Sequence, residues 1–114
     1  MAAELILIGM GLGGIKGMTT EAIEAAKGAD YRFYEGYTAL WSDDELDKLQ
    51  NEIGELTTVM RPDIENPEKI LSLAKDSSVA VLVVGDPLQA TTHVDLQLQA
   101  AESKVSCRVI HGIS

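Results

Sequence analysis

The stretch Val79–His93, VAVLVVGDPLQATTH, decides how the rest of the chain is read. It opens with six apolar residues, Val79 to Val84, all but Ala80 being valine or leucine. Gly85, Asp86 and Pro87 then stop the run, and Ala90-Thr91-Thr92-His93 reads as the entry to a helix. An apolar run that short, ended by turn residues, predicts a strand buried on both faces, and such strands belong to parallel sheets. In open parallel sheets, ligands sit beyond the carboxyl ends of the strands. Asp86 and its neighbours therefore fall where a ligand is expected.

Outward from that stretch, strand and helix patterns alternate. Glu4–Ile8 is a strand followed by GMGLGG, and Thr19 or Thr20 caps a helix to Lys27 that Gly28 stops. Ala22, Ile23 and Ala26 give this helix a thin apolar stripe. Asp30–Tyr34 is the second strand. Ser42-Asp43-Asp44-Glu45 is a capping box ahead of Leu46, Leu49 and Ile53 at helical spacing. Leu56–Met60 is the third strand, and Arg61-Pro62-Asp63 a loop. Asn66 caps a helix with Pro67 in its first turn and Ile70, Leu71 and Ala74 inward. From Thr92 to Ala101, Val94, Leu96 and Leu98 alternate as in a strand. Val94, Leu98 and Ala101 also share a helical face, and the glutamines and alanines decide for helix. Ser106–His111 is the fifth strand. Strict βαβ alternation predicts an α/β domain in three layers: a parallel sheet of five strands, joined by right-handed crossovers, with helices on both faces. The loops after strands one, two, four and five then open on one edge.

The 114 residues suffice for a single domain with a real core. With 46% hydrophobic and 24% charged residues the composition is that of a soluble globular protein. No apolar run approaches the roughly 20 residues of a membrane helix, and the N-terminus lacks a basic leader, so neither a membrane span nor a signal peptide is expected. The net charge of −9 weighs against DNA or RNA as partner. The single cysteine, Cys107, leaves no internal disulfide and agrees with a cytoplasmic protein; it reads as a small hydrophobe in a strand.

Gly9, Gly11 and Gly14 match G-x-G-x-x-G after a strand, with Glu35 at the end of strand two as an acidic ribose partner. Ile15-Lys16-Gly17-Met18 delays the helix, however, which counts against a nicotinamide or flavin pyrophosphate at its N-terminus. Asp86 reads equally as a turn aspartate accepting backbone N–H bonds, and Thr91 and Thr92 as helix caps. His93, His111 and Cys107 show no metal-ligand spacing, so no metal is expected. Tyr34, Tyr37 and Trp41 cluster around Gly36 with Thr38 between; Tyr34 suits the core, and the cluster suits a peptide-contacting surface. No nucleophile–base pair stands out, and no catalytic residue is assigned. A cleft of glycines, one aspartate and hydroxyls suits a reaction whose reagent is already activated, such as methyl transfer from a sulfonium.

These residues resemble the diphthine synthase family, S-adenosylmethionine-dependent methyltransferases of the tetrapyrrole methylase superfamily. VGDPLQATTH carries the resemblance, with LILIGMGLGG at Leu5–Gly14, YEGYTALW at Tyr34–Trp41 and RVIHGIS at Arg108–Ser114. The glycine loop and GDP turn belong to the superfamily; ATTH, E-x-Y-T and V-I-H point to the diphthine synthase branch. The resemblance implies N-methylation of the modified histidine of elongation factor 2, with a trimethylated amine in archaeal members and a further methyl ester in eukaryotic ones. It implies strand order 3-2-4-1-5, a homodimeric full-length protein, and cofactor contacts from Leu12, Asp86, Gln89 and Ser114. Tyr37, Thr38 and Trp41 would lie near the protein substrate.

Three departures stand out. Gly17-Met18-Thr19 replaces the aspartate that family members often carry before helix one, and Gln89 replaces a commonly small or apolar residue. The family also continues for a comparable length into a second domain that closes over the cofactor. The expectation is that residues 1–114 form the N-terminal domain only, with the C-terminal domain absent, and that this fragment alone is inactive. The rival readings are another methyltransferase of the superfamily, acting on a tetrapyrrole or RNA, and a dinucleotide-binding module.

Overall fold

The computed structural model describes residues 3–10, 17–35, 43–59, 68–83 and 91–110. In chain order they form β1 (Glu4–Gly9), α1 (Thr20–Gly28), β2 (Tyr31–Glu35), α2 (Asp43–Ile53), β3 (Thr57–Val59), α3 (Glu68–Asp76), β4 (Ser78–Val83), α4 (Thr91–Glu102) and β5 (Cys107–Ile110). The five strands make one parallel sheet in the order β3-β2-β4-β1-β5, as the family resemblance implies.

β1 and β4 lie side by side in the middle and are apolar on both faces. Alternation along each strand sends successive side chains to opposite sides, and the core divides accordingly. Leu5 and Leu7 join Val79, Val81 and Val83 beneath α3 and α4, with Phe33, Ile70, Leu71, Ala74, Leu96 and Ala100. Ile6, Ile8 and Met10 join Ala80 and Leu82 beneath α1 and α2, with Ala22, Ala26, Leu49 and Ile53. Full burial of a leucine, isoleucine or valine side chain contributes roughly 1.5–3 kcal/mol, so these two strands carry much of the stability. The methyl side chains of Ala22 and Ala26, both buried, let α1 lie close to the sheet.

Helix boundaries have local causes. Thr19 caps α1: its backbone is extended and its Oγ1 accepts a hydrogen bond from the Ala22 N–H at 3.1 Å. The other end differs from expectation. Gly28 is the last helical residue, and Ala29 leads out in an extended conformation, so no left-handed glycine terminates the helix. Asp43, Asp44 and Glu45 place negative charge on the first turn of α2, where the helix dipole favours it. Ser42, Met60, Asn66 and Pro67, and the Arg61-Pro62-Asp63 loop, lie outside the described residues.

α4 is a helix, as its composition predicts, but it buries a different face. Leu96 and Ala100, one turn apart, are fully buried, whereas Leu98 is 58% exposed and Ala101 is also exposed. The Leu98–Ala101 stripe therefore points outward. Thr91 is already helical, so it opens the first turn and does not precede it.

Candidate functional site

The carboxyl ends of the strands form a level edge. Gly9 is opposite Val83 in the last β1–β4 pair, Ile8 opposite Ile110, Tyr34 opposite Leu82, and Glu35 opposite Val59. One further hydrogen bond extends the central ladder: the Met10 N–H donates to the Val83 carbonyl at 2.7 Å. The segments 11–16, 36–42, 84–90 and 111–114 thus all depart from one side of the sheet.

Connections from the two central strands part at this edge. β1 leads to α1 on one face and β4 leads to α4 on the other, as the two core clusters require. Adjacent parallel strands whose connections go to opposite faces leave a crevice between their loops, where ligands of open α/β sheets bind. Below it the sheet is dry: Ile8, Met10, Leu82 and Val83 are buried.

The sequence-predicted residues all belong to these departing segments. Leu12 follows Met10 by two positions; Asp86 and Gln89 follow Val83; Ser114 follows Ile110; Tyr37, Thr38 and Trp41 follow Glu35. All seven lie outside the described residues; the described frame brings together the strand ends that carry them. Tyr34, at the end of β2, is 2% exposed and belongs to the core, as its position suggests.

Several alternatives lose support. α1 begins at Thr20, six residues beyond Gly14, whereas the dinucleotide fingerprint has its last glycine at the opening of the helix. Cys107 lies at the amino end of β5, away from the level edge. Burial, and then the neighbouring Glu4 carboxylate, push its thiol pKa up, which disfavours the reactive thiolate. No group of three or more His, Cys, Asp or Glu among the described residues could hold a metal. No helix among them is long and apolar enough to cross a membrane. Met10 is the residue that sequence reasoning passed over. Its signal was present: Ile6, Ile8 and Met10 continue the period of two through the G-x-G turn.

A doubly wound parallel sheet of this order, with its glycine-rich and GDP sequences following adjacent strands, is the α/β architecture of a methylase-type domain. The chain belongs to the Tetrapyrrole (Corrin/Porphyrin) Methylases, whose family model matches residues 4–114. Among curated relatives, the diphthine synthase of Methanospirillum hungatei is 35% identical over 96% of this chain and 44% of its own length. That of Halorubrum lacusprofundi is 38% identical, over 96% of this chain and 42% of its own. A crystal structure of a diphthine synthase superimposes with a TM-score of 0.87 at 34% identity, covering 97% of this chain and 45% of that one. A conserved protein from Aeropyrum pernix superimposes with a TM-score of 0.88 at 35% identity, covering 100% of this chain and 40% of that one. The chain spans less than half the length of these relatives.

Proposed function

We propose that residues 1–114 are the N-terminal, cofactor-binding domain of a diphthine synthase, an S-adenosylmethionine-dependent N-methyltransferase acting on the modified histidine of elongation factor 2. The observation that carries this reading is identity of 35% to a diphthine synthase across 96% of the chain. The level edge supports it, because the strand ends that lead to Leu12, Asp86, Gln89 and Ser114 converge there. The remaining expectations follow from the same reading: a protein substrate near Tyr37, Thr38 and Trp41, a homodimer at full length, and a cytoplasmic setting.

The frame fits such a cofactor. A nucleoside-bearing ligand needs close backbone approach, which the glycines of GMGLGG permit by composition, and a water-poor floor, which buried Ile8, Met10 and Leu82 at the strand ends supply. The bound cofactor supplies a sulfonium methyl group whose departure leaves a neutral thioether. The chain's own residues then have a binding and aligning task. Asp86 is proposed to hold the cofactor by accepting hydrogen bonds, and the Tyr37–Trp41 segment to orient the incoming amine. The incoming amine would have to be aligned with the methyl group it attacks, and its proton would pass to water or to a group in the C-terminal domain. Holding two reactants in that geometry can account for much of the acceleration.

The test is transfer of labelled methyl groups to elongation factor 2 by the protein in its natural full length. Incorporation that disappears with a purified factor lacking the modified histidine supports the reading. Incorporation no greater than in an enzyme-free control overturns it.

A further inference from the structure

Met10 joins the stems of the two cofactor segments proposed above: it directly precedes segment 11–16 and is hydrogen-bonded to Val83, which directly precedes segment 84–90. Its N–H donates to the Val83 carbonyl at 2.7 Å, one step beyond the last paired residues, Gly9 and Val83. Val83 is the last described residue before segment 84–90, and Met10 the last before segment 11–16. The bond therefore ties the departure point of one segment to that of the other.

The side chain completes the attachment. Met10 has no exposed surface and lies in the cluster of Ile6, Ile8, Ala22, Ala26, Leu82 and Ile110. At the far end of segment 11–16, Met18 packs partly buried against the same cluster, and Thr19 caps α1 one residue later. The glycine-rich segment is thus anchored at both ends in one block of core. An unbranched thioether side chain fills an irregular space of this kind well. Binding sites need their contacts held to about 0.5 Å, which loops achieve only when their stems are locked by packing and hydrogen bonds.

We propose that Met10 is a positioning residue for the cofactor: its backbone bond to Val83 and its buried side chain fix the two strand ends from which the glycine-rich and GDP segments continue. The inference rests on the diphthine synthase reading of the site and deepens it.

The test is isothermal titration of S-adenosylhomocysteine into the full-length protein and variants, at a temperature where circular dichroism shows each fully folded. Met10→Leu, which conserves volume, should bind within about twofold of the parent. Met10→Ala should weaken binding about tenfold. An ester in place of the residue-10 amide, which removes the N–H and leaves the side chain intact, should weaken it about fivefold. Leu49→Ala removes a buried side chain of the same cluster from α2, and should lower the melting temperature without moving affinity. Unchanged affinity in both Met10→Ala and the ester, with affinity lost in Asp86→Ala, overturns the inference and leaves the cofactor reading standing. Equal weakening by Leu49→Ala also overturns it, because the effect would then be general loosening of the core. No binding by the parent protein overturns the cofactor reading and this inference with it.

Discussion

Asp30 and Ser78 exchange two hydrogen bonds at the amino ends of β2 and β4. The Asp30 N–H donates to the Ser78 carbonyl at 2.8 Å, and the Ser78 N–H donates to Asp30 Oδ2 at 2.9 Å. The pair matters because β4 is apolar on both faces, and a strand of that kind carries no in–out pattern to specify its register. A polar clamp one residue before the Tyr31–Val79 pair supplies the missing specification. Ser78 is 6% exposed, so removing the carboxylate leaves a buried N–H without its acceptor. Asp30→Ala should therefore cost about 1–3 kcal/mol, and Asp30→Asn, which keeps an acceptor oxygen, distinctly less. Urea titration of the three proteins measures both.

Two glycines should respond to alanine in opposite directions. Gly28 is helical in the last turn of α1, and a Cβ there meets nothing within 4 Å. Gly28→Ala should stabilise by about 0.4–1 kcal/mol, through reduced freedom of the unfolded chain. Gly54 has φ +108°, and its Cβ would lie 2.7 Å from Arg32 Nη2. That guanidinium cannot swing aside freely, because it donates to the carbonyls of Ala26, Ala29 and Glu55. Gly54→Ala should cost about 1–3 kcal/mol. Thermal melts distinguish the two by the sign of the shift.

The leucines of α4 offer a second contrast. Leu96→Ala empties a fully buried site and should cost about 2–5 kcal/mol. Leu98→Ala, at an exposed position, should change stability by less than about 0.5 kcal/mol. The opposite ranking would restore the Val94–Leu98–Ala101 face. Chemical denaturation of both variants decides it.

Cys107 should be slow to react. Burial and Glu4 favour its neutral form in the folded protein, so its thiol titrates above the ordinary range. Folding then favours the protonated group, and stability drawn from it is complete at neutral pH and is lost as pH rises past the ordinary thiol value. Alkylation by iodoacetamide at pH 8 should run about tenfold slower in the native protein than in urea.

How far the amino-acid sequence alone reaches can be seen from these same residues. Val79–Val83 and Leu5–Ile8 were legible as strands because burial on both faces leaves an uninterrupted apolar run. Ile70, Leu71 and Ala74 were legible because a helix with one buried side repeats at 3.6 residues. α4 misled because leucine stands at both 96 and 98, which gives two competing stripes, and only the sheet beneath selects one. The Asp30–Ser78 clamp and the Met10–Val83 bond join residues distant in sequence, so no local pattern announces them. Strand order came from family resemblance, since alternation alone is compatible with several orders. Of the site, the strand ends are described, while Leu12, Asp86, Gln89, Ser114, Tyr37, Thr38 and Trp41 lie outside the described residues.

The position of β1 has a consequence for how the protein is born. It precedes the other four described strands in the chain, yet both of its neighbours in the sheet, β4 and β5, come last among them. Roughly 70 residues separate Glu4 from its partner Ser78, which at 5–20 residues per second is about 4–14 seconds of translation. Through that interval ELILIG has no strand to pair with, and on the ribosome it is a hydrophobic segment open to capture by chaperones or by other nascent chains. Of the five strands, β1 is thus the one that waits longest for the neighbours that will bury it.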